Sequence, residues 1–170
     1  MKIKLNLGCG NTKINGYLGM DMYFCNGVDF LGDIRNIPLK DSSASEIMLD
    51  NVVEHIDNIP RLMLELHRIT ENNGTITIRT PHFTSLSSWI DPTHIHHLSY
   101  FSFDHFIREN VAHYTGKGFE IIDKHLSFGG LWNLIGKIIF KISPKEYEKR
   151  WCFIFRAGTL TVKIKVVKNQ

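Results

Sequence analysis

The sequence predicts an α/β fold, because short apolar strands that end in polar turns alternate with a well-marked amphipathic helix. An apolar stretch at 3–7 runs directly into Gly8-Cys9-Gly10, and glycines at a strand end let backbone N–H groups approach a ligand closely. Two further apolar stretches end in acids, at Asp21 and at Asp33. An acid after the second strand can accept hydrogen bonds from a ribose diol. These strand ends predict a binding site for a small molecule at one edge of a sheet.

The clearest local prediction is a helix over 59–70. Asp57 or Asn58 can cap it, and Pro60 suits the first turn, where a missing N–H costs little. Asn73-Gly74 is suited to stop the helix, and the alternating stretch 75–80 follows as a strand. One apolar face at helical spacing contains Ile59, Leu62, Met63, Leu66 and Ile69.

The remaining elements follow from apolar stretches and turn residues. Residues 81–100 form a long polar and aromatic connection, and connections of this length in compact domains are often functional. A second helix is expected over 102–113. Only eleven positions separate Gly10 from Asp21, so the first crossover helix must be very short or irregular. The predicted strands cover 3–7, 17–22, 28–32, 45–50, 75–80, 118–126 and 159–168.

Together these motifs resemble class I S-adenosylmethionine-dependent methyltransferases, and most closely the small, methyltransferase-11-like single-domain group. The resemblance implies a Rossmann-like fold over one domain, 1–170, with a mostly parallel seven-stranded sheet, helices on both faces and an antiparallel C-terminal strand. It implies S-adenosyl-L-methionine as the cofactor. The motifs that carry it are 5–10 (Leu-Asn-Leu-Gly-Cys-Gly), 19–22 (Gly-Met-Asp-Met), 32–39 (Gly-Asp-Ile-Arg-Asn-Ile-Pro-Leu), 53–56 (Val-Glu-His-Ile) and 72–78 (Asn-Asn-Gly-Thr-Ile-Thr-Ile).

The resemblance also implies roles for individual residues. Asp21 binds the ribose hydroxyls, Asp33 accepts the adenine amino group, and the Ile34 backbone faces the ring. A nicotinamide cofactor is the nearest competitor, but it would want Gly-x-Gly-x-x-Gly, and position 13 is a lysine. The cofactor-binding residues that we expect are Asn6, Gly8, Cys9, Gly10, Asp21, Met22, Asp33, Ile34, Asp50 and Asn51.

Candidate catalytic residues lie in two segments. The first is the end of the fourth strand, where Glu54 and His55 either face the acceptor or only brace the following helix. The second is the His-rich loop at 81–100, where either His94 or His96 can act as the base, oriented by Asp91. A metal site of His94 and His96 with Asp91 or His82 is the alternative. We expect no metal, because these ligands lie close together on one loop without distant partners.

Charge is distributed unevenly along the chain. Residues 1–127 contain 11 basic and 15 acidic side chains, whereas residues 128–170 contain 9 basic and 2 acidic ones, for a net charge of +3. The predicted basic amphipathic insertion at about 128–157 includes an apolar helical face of Leu131, Leu134, Ile135, Ile138, Ile139 and Ile142, with Phe140 among the polar positions. Through 131–150 this segment can contact a membrane surface, a second copy or the protein's own sheet.

Composition narrows the function classes. The chain opens on a strand and has no run of about 20 apolar residues, and its three cysteines show no metal spacing. We therefore expect a cytoplasmic enzyme, with the inner membrane surface as the alternative location. The leading hypothesis is methylation of a small-molecule hydroxyl, such as a sugar in cell-surface polysaccharide synthesis. Methylation of a lipid or isoprenoid acceptor and a non-catalytic cofactor- or partner-binding role stay open, whereas a nucleic-acid substrate is disfavoured.

Overall fold

The computed structural model describes residues 2–107 and 118–168, which build one sheet of seven strands in the order β3-β2-β1-β4-β5-β7-β6. The pairs among β1 to β5 are parallel, and β7 runs antiparallel to both β5 and β6. The predicted mostly parallel sheet with an antiparallel C-terminal strand is confirmed. The strands are β1 (Ile3–Leu7), β2 (Leu18–Asp21), β3 (Phe30–Leu31), β4 (Ala44–Asp50), β5 (Thr70–Pro81), β6 (Phe119–Leu126) and β7 (Thr159–Val166).

The first crossover contains no helix. Residues 8–17 connect β1 to β2 through turns, with positive φ angles at Gly8, Gly10 and Gly16. Asp29 supports this compact connection, since its carboxylate pairs with Lys13 of the connection and accepts the Gly19 N–H of β2 at 2.7 Å. The prediction of a very short or irregular first crossover is confirmed, and the carboxyl end of β1 is left open on that side.

Helix α1 (Ile59–Ile69) begins and packs as predicted but ends one residue early. The Asn58 side chain accepts the Arg61 N–H at 2.9 Å, Pro60 lies in the first turn, and the interior face is buried. The prediction that Asn73-Gly74 ends the helix is wrong, because Thr70 caps it and already begins β5. Asn73 instead takes φ +63° inside β5, where the register with β4 shifts.

The core lies between the sheet and the elements packed on it. Inward side chains of β1, β4, β5 and β7 meet α1 and the short 3-10 helix Ser102–Phe106. Of the helix predicted over 102–113, the structure shows this 3-10 helix up to Phe106, and residues 108–113 lie outside the described part of the chain. Fully buried side chains include Leu5, Leu7, Ile47, Leu49, Leu62, Leu66, Ile76, Ile78, Leu160, Val162 and Ile164.

A short helix, α2 (Ser87–Ile90), lies in the His-rich loop, and the segment between β6 and β7 folds into α3 (Leu134–Ile142), α4 (Pro144–Glu146) and a π-helical turn (Tyr147–Trp151). Its packing differs from the sequence prediction. Phe140, placed among polar positions, packs on Tyr100, Phe128 and Tyr147 at ring distances of 5.0–5.8 Å. Most of the predicted apolar face is instead exposed: Leu131, Leu134, Ile135, Ile138 and Ile142. Gly136 explains the difference, because its backbone lies so close to Phe155 that α3 docks through this side.

A largely buried carboxylate, that of Glu148, ties this segment to the His-rich loop. Glu148 accepts hydrogen bonds from the Tyr100 N–H and the Ser99 hydroxyl, and its Oε1 lies 2.9 Å from Nε2 of the fully buried His82. Burial raises the pKa of Glu148, but these bonds outweigh it and hold the pKa below its ordinary value. Among the described helices, none is both long and apolar enough to cross a bilayer.

Replacing Glu148 by Gln is expected to lower the free energy of unfolding by about 1–3 kcal/mol at neutral pH, because charge-assisted bonds to a buried group are lost. The pKa of Glu148 is lower in the folded than in the unfolded chain, so its stabilisation is present above the ordinary value of 4.5 and is lost as pH falls through the folded value. The deficit of the variant should therefore shrink in acid. Urea unfolding of both proteins at neutral pH and at about pH 3.5 measures it.

Glu120→Gln is the matched control, since Glu120 pairs with Lys165 at the surface. A deficit for Glu148→Gln that equals the control's, or that does not change with pH, contradicts this role.

Candidate active site

A cavity of about 320 Å³ opens at the carboxyl ends of β1, β2 and β4. Its size lies in the usual range for small-molecule sites, and its lining is mostly apolar with a few polar groups. The lining residues are Gly8, Met20, Asp21, Met22, Tyr23, Gly32, Ile34, Asn51, Val52, His55 and Ile56.

A smaller cavity of about 110 Å³ adjoins the first and shares Gly8 and Asn51 with it. It is lined by Asn6, Gly8, Cys9, Thr12, Ile14, Asp50 and Asn51. The structure thus brings most of the predicted cofactor-binding residues to two neighbouring cavities: Asn6, Gly8, Cys9, Asp21, Met22, Ile34, Asp50 and Asn51.

Gly8 is required where the two cavities meet. Its φ of +65° is a conformation that other residues adopt only with strain, and a Cβ there would lie 2.6 Å from Cγ2 of Val52. Glycine therefore lets β1 turn directly over Val52, which forms part of the cavity wall.

The backbone of Gly10 holds the carboxylate of Asp21 in place. The Gly10 N–H donates to Asp21 Oδ2 at 2.9 Å, and the Tyr23 N–H donates to Oδ1 at 3.3 Å. Gly10 does not line either cavity; it holds the carboxylate of Asp21, which does. The carboxylate keeps lone pairs for further donors, as a ribose diol would supply.

Asp33 lies outside both cavities. It forms a two-pronged ion pair with Arg35, at 2.7 Å from Nη2 to Oδ2 and 3.0 Å from Nε to Oδ1. This arginine holds the pKa of Asp33 below its ordinary value. Contact with an adenine amino group stays a prediction, and it requires the carboxylate to accept a further bond beside Arg35.

Several lining residues were given no individual role from the sequence, although three of them lie within the quoted motifs: Met20, Tyr23, Gly32, Val52 and Ile56. Each lies close to a residue that was given a role, because Tyr23 follows Met22, Gly32 precedes Asp33, and Val52 follows Asn51. From the sequence, the only signal for these lining residues is that they lie next to a polar strand end. This signal indicates which turn lines the cavity, but not which residues of the turn do so.

At the mouth of the larger cavity, His55 meets the His-rich loop. Its ring packs edge-on against His94, with centroids 4.6 Å apart. Nε2 of His94 lies 3.9 Å from Glu54 Oε1 and 3.9 Å from Asp91 Oδ2. Three of the four predicted catalytic residues, His55, His94 and Asp91, are thereby brought together around Glu54. We call Glu54, His55 and His94 the acid–imidazole cluster.

Glu54 is the buried member of the cluster, with 1 % of its surface exposed. Its Oε2 accepts the Thr80 hydroxyl at 3.0 Å, whereas Oε1 has no hydrogen-bond partner within the described structure. Burial raises the pKa of Glu54. An unpartnered buried carboxylate oxygen costs free energy, so its orientation toward two imidazoles points to a functional site.

The other histidines of the loop face elsewhere. Nε2 of His96 lies 2.9 Å from the Ile56 carbonyl, and His97 bonds Ser88 and stacks on Trp89. His82 is buried between Thr84 and Glu148. The predicted catalytic role of His96 is therefore not supported by its position, because its ring is used to hold the loop.

The cavity residues fit the predicted cofactor. The side chains of Met22, Ile34 and Ile56 offer an apolar surface for a purine, and the Asp21 carboxylate accepts hydroxyl donors. The glycine at position 8 leaves room at the junction toward Asn6 and Asp50, where the methionine end would bind.

Comparison with known proteins agrees with this arrangement. Residues 5–78 match the family model described as "Methyltransferase domain". No curated protein matches the chain significantly.

Solved structures match the whole fold. An S-adenosylmethionine-dependent methyltransferase from Archaeoglobus fulgidus is 20 % identical, with 96 % of this chain and 86 % of that chain covered and a TM-score of 0.64. One from Mesorhizobium loti is 14 % identical, with 96 % and 90 % covered and a TM-score of 0.63. The YcgJ protein of Bacillus subtilis is 13 % identical, with 99 % and 93 % covered and a TM-score of 0.64.

At these identities the structural likeness shows the fold, and the match over 5–78 includes β1, β2 and the strand ends that form the cavity. Residues 5–78 are thus similar to the methyltransferase-domain family, the fold over the whole chain is that of S-adenosylmethionine-dependent methyltransferases, and both findings agree with S-adenosylmethionine as the predicted cofactor.

Proposed function

We propose that the protein methylates a hydroxyl group of a small molecule that binds at the acid–imidazole cluster. The observation that supports this is the convergence of Glu54 Oε1 and the two imidazoles at the mouth of the cofactor cavity, which His55 itself lines. Hydroxyl acceptors need their proton removed or polarised, and a carboxylate with two imidazoles supplies acceptors for it.

The main task of the protein in this reaction is to position the acceptor and the cofactor relative to each other. The cofactor supplies an activated methyl group on a sulfonium. The cavity walls fix one partner and the cluster fixes the other, and such orientation contributes up to about 7–11 kcal/mol to lowering a barrier. Val52, Glu54 and His55 lie on one short segment, so the cofactor wall and the acceptor site are held together by the same 3-10 turn.

A sugar, free or linked to a nucleotide or lipid in cell-surface polysaccharide synthesis, is the acceptor class that we propose. The support is the polar character of the groups around His55. Its Nδ1 lies 3.0 Å from the Thr93 hydroxyl, which donates to Asp91 at 2.6 Å, and Asn51 lies on the same rim of the cavity. Such a rim can bond several hydroxyls of one molecule.

Gly8→Ala is expected to weaken binding of S-adenosylmethionine at least tenfold, because the added Cβ displaces Val52 at the cavity junction. Gly16→Ala is the matched control: Gly16 also has a positive φ, but a Cβ there meets nothing within 4 Å. Isothermal titration of both variants measures the difference. Equal weakening by the two substitutions would mean that backbone strain alone is responsible.

Glu54→Gln and His94→Gln are expected to lower methyl transfer by about 100-fold or more while leaving cofactor affinity within about threefold of wild type. Transfer of a radiolabelled methyl group to a panel of nucleotide sugars and methyl glycosides is the measurement. His125→Gln is the control, since His125 bonds Asp123 on β6.

Cofactor binding without transfer to any acceptor class would favour the non-catalytic role. Unchanged transfer in Glu54→Gln and His94→Gln would place the acceptor elsewhere.

A lipid or isoprenoid acceptor at a membrane surface is the second candidate, and the exposed apolar surface of 131–154 favours it. Leu131 is 92 % exposed and Ile142 is 80 % exposed, although both belong to an apolar stretch. The surface, which we call the apolar lobe, comprises Leu131, Trp132, Leu134, Ile135, Ile138, Ile142, Trp151, Phe153 and Ile154. Apolar patches with basic neighbours are typical of proteins that lie on anionic membranes.

The charges around the apolar lobe suit anionic lipid. Lys137, Lys141, Lys145, Lys149 and Arg156 are exposed on the same segment, and Arg150 pairs with Glu146 at 2.8 Å. We propose that the protein resides in the cytoplasm and binds the inner membrane surface peripherally through this lobe. A dimer formed through the same surface is the competing outcome.

Vesicles of phosphatidylglycerol and phosphatidylcholine should retain the wild-type protein at low salt and release it at high salt. Ile138→Ser with Ile142→Ser is expected to reduce retention at least tenfold, because each exposed isoleucine contributes about 1.5–3 kcal/mol when it is buried. Ile122→Ser is the control, an exposed isoleucine of β6 outside the lobe. Concentration-dependent dimers that Ile138→Ser and Ile142→Ser abolish, without vesicle binding, would favour the dimer contact.

A further inference from the structure

The acid–imidazole cluster has the composition and spacing of a metal site. One donor atom from each of Glu54, His55 and His94 lies within 4.8 Å of the other two. Ligand atoms around an ion with bonds of about 2.0–2.2 Å lie roughly 3.3–3.5 Å apart, so small rotations of the imidazole rings bring the three to ligand distance. Two imidazoles and one carboxylate form a donor set that holds zinc and similar ions in catalytic sites.

In both imidazoles the Nδ1 atom lies at a backbone carbonyl. Nδ1 of His94 faces the Ser88 carbonyl at 3.3 Å, and Nδ1 of His55 faces the Thr93 carbonyl at 3.2 Å. A carbonyl only accepts, so each Nδ1 bears the hydrogen and each neutral ring keeps a lone pair on Nε2. Backbone bonds of this kind fix the tautomer and orientation of ligating histidines.

The buried carboxylate supplies an independent observation. Glu54 Oε1 is inaccessible to solvent, has no partner among the described residues, and is 3.9 Å from Nε2 of His94. A structural glutamate would be expected to satisfy both oxygens, as its Oε2 does with Thr80. A cation between the carboxylate and the two imidazoles would satisfy it.

We propose that Glu54, His55 and His94 hold a divalent first-row transition-metal ion with zinc-like ligand preferences, whose remaining positions bind the acceptor hydroxyl. The proposal rests on the proposed function, because it assigns to the ion the activation of that hydroxyl. It replaces our expectation that no metal binds, which assumed that the loop histidines lacked distant partners. The fold supplies those partners from 53–55, and the ligands differ from the sequence-based alternative, since His82 and His96 are engaged elsewhere.

The chemistry of the step balances without any other reactant. The hydroxyl oxygen, polarised by the ion, forms a bond to the methyl carbon of the cofactor. The carbon–sulfur bond breaks with its electron pair remaining on sulfur, which becomes a neutral thioether, and the hydroxyl proton passes to solvent. Asp91, 3.9 Å from Nε2 of His94 and partly exposed, is the carboxylate beside the cluster that contacts solvent.

Metal binding by tag-free protein tests the proposal. After equilibrium dialysis against Zn²⁺, elemental analysis should find about one tightly held ion per wild-type chain, and Co²⁺ should give a visible d–d absorption band. Glu54→Gln, His55→Gln and His94→Gln should each weaken Zn²⁺ binding at least tenfold. His125→Gln, which removes a surface histidine beside an acid, should bind as wild type does.

His55→Gln is the variant least expected to disturb the fold, because His55 lies at the cavity mouth whereas Glu54 is in the interior. Loss of Zn²⁺ binding in this variant is therefore not explained by misfolding. No Zn²⁺ retained by the wild type, or equal retention by wild type and the three cluster variants, overturns the proposal. The metal proposal and the proposed function can be tested separately. If the metal-free protein methylates hydroxyl acceptors, the metal proposal is wrong and the proposed function stands. If the metal-loaded protein transfers no methyl group to any hydroxyl acceptor, the proposed hydroxyl methylation is wrong and the metal site stands.

Discussion

The position of Glu54 is the constraint on which the site depends. Its backbone carbonyl accepts the N–H groups of Ile95 and His96 at 2.9 and 3.2 Å, and its Oε2 accepts the hydroxyl of Thr80 at the end of β5. One residue thus joins three chain segments: the turn after β4, the end of β5 and the His-rich loop. Because the loop is held by the backbone of Glu54, His94 is placed beside the carboxylate of the same residue.

Glu148 holds the other end of the same loop. It bonds Ser99 and Tyr100, which follow the histidines, and it pairs with His82, which precedes them. The segment between β6 and β7 therefore does more than present an apolar surface. It fixes the far end of the loop that carries His94, so that variation in this segment and the geometry of the acceptor site are physically linked.

Local signals predicted much of the fold and half of the site. Strand ends were recognisable because apolar stretches stop at Gly8, Asp21 and Asp50, and the parallel sheet brings those ends to one edge. The N-terminus of α1 was recognisable because Asn58 caps the helix that directly follows it and Pro60 lies in the first turn of the same helix. These features depend on residues close in sequence, or on a topology that the family resemblance supplied.

The predictions that the structure changed depend on distant contacts. Phe140 was assigned to a polar face from helical spacing, but Gly136 meets Phe155 and turns the helix the other way. Glu54 and His94 are 40 positions apart, so their proximity could not be read from the loop that contains the histidines.

The structure of the complex with S-adenosylhomocysteine tests most directly whether the cofactor cavity and the acid–imidazole cluster form one active site. We expect the purine against Ile34 and Ile56, the ribose hydroxyls on Asp21, and the sulfur directed at the space between His55, His94 and Glu54. A sulfur that points away from this cluster, with Glu54 and His94 unable to reach a group in line with it, would contradict the assignment of the cluster as the acceptor site.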